Sequence, residues 1–163
     1  MNAKDVIRNG LDMSDMIINA YIADLDDADL LVRPVNGMNH IAWQLGHLIG
    51  AERHFVEMIQ PGSCPSLPAD FDNGHGRETT REDDPSKYYS RARYQELWKA
   101  QRAATRKVLD GQSEADLDRA EPGKFPDFAP TVGALLNLCA LHPTMHSGQF
   151  VAVRRLLGKP VTI

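Results

Sequence analysis

The sequence predicts an all-α fold, a four-helix bundle, and three observations carry that prediction. Apolar residues recur at spacings of three, four and seven in four long segments. No run alternates apolar and polar residues at period two, so no strand pattern competes. Two long connections, 61–84 and 112–129, are of the kind that crosses the end of a bundle rather than making a tight hairpin. At 163 residues and 42% hydrophobic, the chain fits one domain, 1–163, with a core that needs no disulfides.

The first helix is expected over Lys4–Leu25, where Ile7, Leu11, Ile18, Tyr21 and Leu25 share a face. The second is expected over Asn39–Gln60, with Asn39 as N-cap and Pro61-Gly62 as the stop. Its stripe is Ile41, Leu45, Leu48, Phe55 and Ile59. The third is expected over Pro85–Leu109, with Gly111 as the residue that closes it. Its stripe of Tyr94, Leu97, Trp98 and Val108 is interrupted by Gln101 and Thr105. A short helix is expected at Ser113–Leu117.

The fourth helix, Thr131–Leu157, has the clearest pattern: Val132, Leu135, Leu136, Cys139, His142, His146, Gln149, Phe150, Val153 and Leu156 lie on one face. Arg154 and Arg155 suit the negative end of its dipole, Gly158 supplies a left-handed cap, and Pro160 prevents continuation.

Composition excludes several function classes. A net charge of −4 argues against nucleic acid, which asks for a basic surface, and Arg154-Arg155 is the one basic pair that stands out. No stretch approaches the roughly 20 apolar residues of a membrane span, and the N-terminus has no signal-peptide pattern. Cys64 and Cys139 read as reduced thiols, so the expected location is cytoplasmic.

Chemistry concentrates in the histidines. His142 and His146 stand four apart, about 40° around a helix and about 6 Å along it, so their imidazoles can converge on one ion. Both replace aliphatics in the most apolar stripe of the chain. Two buried imidazoles need partners for their nitrogens, which a shared metal supplies; hydrogen bonds to carbonyls or buried water are the alternative. Pro143 between them removes a helical hydrogen bond to Cys139 and predicts a kink at the site. A new helix starting at Pro143 is the other option. Cys139, three residues before His142, is either a fourth ligand or a buried small hydrophobe.

A third ligand should come from another helix. His40, His47 and His54 lie seven apart on one side of the second helix. Each step of seven rises about 10.5 Å, so the three cannot share an ion, and spacing alone does not choose among them. His40 and His54 read by default as capping, surface or rim residues.

The order of three motifs resembles the DinB/YfiT-like superfamily over most of the chain. These are Trp43-Gln44-Leu45-Gly46-His47-Leu48, then His142-(x)3-His146-Ser147-Gly148-Gln149, then Arg154-Arg155-Leu156-Leu157-Gly158-Lys159-Pro160. The resemblance implies an up-down-down-up bundle and a divalent ion, nickel or zinc with iron as a further option, held by His47, His142 and His146. It also implies a homodimer. Relatives fused to sulfoxide synthases bind iron through HxxxHxE; here Gly148 stands at the glutamate position, a departure from that chemistry.

Three neutral imidazoles leave open coordination positions, the pattern of catalytic sites. Characterised relatives point to a low-molecular-weight thiol held as thiolate, hence a thiol-dependent S-transferase or isomerase acting on a small molecule. A hydrolase using metal-bound water is the alternative reading, as is a non-catalytic metal-binding or stress-response module. Gln44 and Gln149, each one turn from a histidine, are candidate supporting groups, with polar fill as the other reading. His75, in its Gly-flanked loop, is a candidate acid/base, and Trp43 and Trp98 are expected in the core.

Overall fold

The computed structural model describes residues 1–120 and 128–161. Six α-helices occur among them: α1 Ala3–Ile22, α2 Ile41–Ile59, α3 Asp72–His75, α4 Arg91–Gly111, α5 Glu114–Asp118 and α6 Val132–Leu156. No strand is present among the described residues; Ala120 and Thr131 form one isolated antiparallel bridge. The four long helices pack in a ring, α1 against α6 and α4, and α2 against the same two.

Polar ends tie the ring together. Lys4, at the start of α1, donates to the carbonyls of Asp110 and Gln112 at the end of α4. Arg91, which opens α4, donates in turn to the Ala23 and Leu25 carbonyls beyond the end of α1 (2.7 and 2.5 Å). The last turn of α1 carries no basic residue, and this distant guanidinium also reaches its Ile22 carbonyl at 3.4 Å. Arg154, near the end of α6, is fully buried and reaches the Tyr21 carbonyl and both Asp24 oxygens.

Helix boundaries differ from expectation where a polar side chain intervenes. α1 ends at Ile22 rather than Leu25, although Leu25 remains fully buried. α2 is capped by His40, whose Nδ1 accepts from the Trp43 N–H at 3.0 Å, and not by Asn39. α4 starts at Arg91, capped by Ser90; the expected start at Pro85 is a separate 3-10 turn, Pro85–Lys87, capped by Asp84. Tyr88 is extended between them. Gly111 is the last residue of α4 and does not take the left-handed conformation, whereas Gly62 (φ 76°) and Gly158 (φ 68°) do. The short helix is capped by a reciprocal Ser113–Asp116 box.

α6 runs through Pro143 as one helix. The Cys139 carbonyl loses the N–H that a residue other than proline would bring at position 143. It accepts instead from Arg102 Nη2 of α4 at 3.0 Å. A helix defect is thereby converted into a bond between helices.

The core divides in two. One apolar cluster joins the end of α1, the first half of α2 and the start of α4 to Phe150 and Val153. The other joins Ile7 and Leu11 to Phe55, Val56, Val108, Leu109 and the first part of α6. Between them lies a polar waist of Ser14, Glu52, Gln101, Arg102, Thr105 and Ser147, all buried. This is why the stripe of α4 breaks at Gln101 and Thr105. Arg102 Nε lies 3.2 Å from Asp15 and 3.3 Å from Glu52, and Thr105 donates to Glu52 at 2.5 Å.

Candidate metal centre

At this waist α2 and α6 face each other, and each brings histidine. The structure places one potential ligand nitrogen from each of His47, His142 and His146 within 4.8 Å of the others. The ring centroids stand 5.1 Å (His47–His142), 5.3 Å (His47–His146) and 4.8 Å (His142–His146) apart. All three side chains are half-buried. Neither His40 nor His54 joins them: His40 caps α2, and His54 is exposed beside a cavity.

Each ring is held by a neighbour of its own. Gln44 Oε1 accepts from His146 Nδ1 at 2.9 Å, and Gln44 Nε2 donates to the Asn39 carbonyl at 2.7 Å, which sets the amide orientation. His146 is thereby fixed as the Nδ1–H tautomer with a free Nε2 lone pair. The Trp43 indole lies flat on His47, with centroids 4.9 Å apart and planes 9° from parallel. Phe55 flanks His142 at 6.5 Å. Gln149 is half-buried and stands outside the triad's hydrogen bonds.

Burial, then the neighbouring histidines, pull His142 and His146 down to about 4. His47 is lowered by burial and by the positive charge of Arg77. All three are therefore neutral at pH 7, each with one protonated ring nitrogen and one free lone pair. This donor set could hold a divalent metal ion. Cys139 is not part of it: the thiol is buried, points to the Leu135 carbonyl at 3.5 Å, and burial pushes its pKa well up. It packs as a small hydrophobe.

A cavity of about 550 Å³ opens beside the triad. His47 and His142 form part of its wall, with Gly46, Gly50, Phe55, Phe71, Leu138 and Met145. His75 also lines it, but not as the exposed loop residue that the sequence suggests. It closes α3, is buried, and uses both ring nitrogens: Nδ1 donates to the Phe71 carbonyl (2.6 Å), and Nε2 accepts from Tyr94 Oη (2.7 Å). Its ring presses on α2 at Gly46, where a Cβ would fall 1.9 Å from His75 Cδ2. Gly46 is thus the contact that seats the 61–90 connection on α2. A glycine inside a strongly helical stretch is the sequence signal for such a close approach.

Trp43 and Trp98 are both core residues, as expected. Trp43 nevertheless serves the site through its edge, since its indole N–H reaches the Gly76 carbonyl (3.3 Å) and Thr79 Oγ1 (3.1 Å). The turn over the triad is pinned to the residue that stacks on His47. Sequence reasoning missed this link, and missed the Glu52–Arg102 pair, because neither has a local spacing signature.

Comparison with known proteins agrees with the architecture. A conserved protein from Enterococcus faecalis, known from its crystal structure, superposes with a TM-score of 0.68 at 20% identity, over 98% of this chain and 99% of that one. No curated protein matches the chain. The family model of the DinB superfamily matches residues 11–150, a span that takes in all three triad histidines. The chain belongs to the DinB superfamily.

Proposed function

We propose that the protein binds a divalent metal ion, nickel or zinc, through His47, His142 and His146, and uses it in a metal-dependent reaction on a small molecule. The observation that carries this reading is the convergence of three imidazoles, two of which, His47 and His142, line a cavity of about 550 Å³. A purely structural ion would be enclosed by four protein ligands, and Cys139, the fourth ligand that the sequence offers, turns its thiol to a carbonyl. When bound, the ion would act as a Lewis acid at its open positions, and a low-molecular-weight thiol held there as thiolate gives an S-transferase or isomerase.

The chain's own residues supply the rest. Gln44 orients His146, Trp43 holds His47 against rotation, and the apolar walls exclude water from the reacting end of a substrate. The bonds between helix ends support an up-down-down-up order for the four long helices. No described helix is long and apolar enough to cross a membrane. A homodimer remains part of the proposal.

Metal analysis of the purified protein, followed by calorimetric titration with Zn²⁺ and Ni²⁺, tests the reading directly. One ion per chain is expected, with loss of binding in His47→Ala and in His142→Ala. Unchanged metal uptake in both variants would sink it. Thiol dependence is tested separately, by screening low-molecular-weight thiols against model electrophiles with the metal-loaded protein.

A further inference from the structure

The lining of the cavity includes a cation that the fold does not use. Arg77 lines the cavity with His47 and His142, is exposed, and makes no ion pair or hydrogen bond among the described residues. Several other arginines are committed to the fold, whereas Arg77 is an unpaired one that lies on the cavity lining. Arg33 is tied to Asp83 and the Met38 carbonyl, Arg91 to the end of α1, Arg102 to the waist, Arg106 to Asp12 and Asp15, and Arg154 to Asp24.

Arg77 nevertheless sits on a fixed platform. The Gly76–Thr79 turn is held on one side by Trp43, through the Gly76 carbonyl and Thr79 Oγ1. On the other, Thr79 Oγ1 is within hydrogen-bond distance of the Gly74 carbonyl at 2.9 Å. The same Trp43 ring stacks on His47. The backbone that carries Arg77 is therefore tied to the residue that stacks on His47, and the side chain lies on the same cavity lining as His47 and His142.

The same lining carries the apolar side chains Phe55, Phe71, Leu138 and Met145, with Gly46 and Gly50 leaving room along α2. Asp72 is the one carboxylate on that lining among the described residues, and Glu57 of the adjoining hollow is already committed to the Gly62 and Cys64 amides. An arginine on the lining of this cavity, beside apolar side chains and with His47 and His142 on the same lining, sorts ligands by two features.

We propose that Arg77 anchors the carboxylate of a small substrate whose apolar body fills this chamber and whose reacting end meets the histidine triad. The part concerning the reacting end rests on the metal-centre reading; the anchor does not.

The test uses the full chain, Zn²⁺-loaded and metal-free by dialysis, with a matched pair of probes: 3-phenylpropanoate and its neutral amide, 3-phenylpropanamide. Affinities are read by isothermal titration calorimetry. Wild type is expected to prefer the acid by about fivefold in both metal states, the scale of an exposed ion pair. Arg77→Gln should equalise the two probes by weakening the acid alone, while Arg77→Lys retains most of the preference. Equal affinities in wild type, or a preference that survives Arg77→Gln, overturns the anchor. If the preference appears only with Zn²⁺ and survives Arg77→Gln, the carboxylate sits on the ion: the anchor falls and the metal centre stands. If Zn²⁺ is not taken up but Arg77→Gln still abolishes the preference, the anchor stands and the metal centre falls.

Discussion

Gln44 and His146, 102 positions apart in sequence, are joined by a 2.9 Å hydrogen bond from imidazole Nδ1–H to the amide oxygen. This single contact chooses the tautomer of one triad member and ties α2 to α6 at the waist. Gln44→Leu keeps the volume roughly but removes the acceptor, so His146 is free to rotate and to change tautomer. Metal affinity is expected to fall by about 10- to 100-fold, with the helical circular dichroism spectrum unchanged. Calorimetric titration with Zn²⁺ measures this, and an affinity equal to wild type would assign Gln44 to packing alone.

Gly46 and His75 make a second such pair, one steric rather than polar. A methyl group at position 46 would fall within 1.9 Å of the His75 ring, which is itself fixed at both nitrogens by Phe71 and Tyr94. Gly46→Ala is expected to destabilise the fold by about 1–3 kcal/mol in urea unfolding, despite the better helix propensity of alanine. His75→Ala opens space but abandons the Tyr94 hydroxyl. The double variant should therefore cost clearly less than the sum of the two single variants. Additive costs would mean that the two residues do not press on each other.

The four long helices were legible because their stripes are long and their stops are strong, Gly158-Pro160 above all. What escaped was decided by contacts between elements. Asn39 is the better intrinsic cap, but the helix begins one residue later, where His40 receives the Trp43 N–H and Asn39 instead offers its carbonyl to Gln44. Pro85 looks like the first residue of a helix, yet it opens a separate 3-10 turn before Ser90 caps α4. Within the site, spacing pairs His142 with His146, whereas spacing does not choose among His40, His47 and His54, and the resemblance is what mainly singles out His47. The geometry brings it to them and leaves His40 and His54 apart. The support given by Trp43, His75 and Arg77 depends on where the 61–90 connection lands, which no periodicity encodes.

Arg102 is the member of the polar waist whose loss should be felt most. Its guanidinium faces Asp15 and Glu52, stacks over Trp98 at 4.4 Å, and supplies the Cys139 carbonyl that Pro143 leaves unpaired. Arg102→Met removes the cation while Glu52 stays fully buried, where burial already raises its pKa. A loss of about 3–5 kcal/mol in chemical denaturation is expected. Arg102→Met combined with Glu52→Gln should recover part of that loss, because the stranded carboxylate is gone. No recovery would place the cost in the Cys139 carbonyl instead.

Acid should weaken the fold through His40, and the sign follows from its cap. Burial holds His40 down to about 4, with Arg33 also lowering it; the Glu82 carbonyl and Asp83 oppose the shift. In the unfolded chain the same imidazole titrates near 6.5. Between these values the unfolded state carries the extra proton, so stability falls as pH drops from about 6.5 toward 4. Protonation also puts a hydrogen on Nδ1, the atom that accepts from the Trp43 N–H, and the cap of α2 is lost. His40→Asn supplies an acceptor that does not titrate. The difference in unfolding free energy between wild type and His40→Asn, followed from pH 7.5 to pH 4, isolates this contribution from other titrating groups. It should shift steadily in favour of the variant as pH falls through that window, and a difference independent of pH would show that His40 does not couple the cap to protonation.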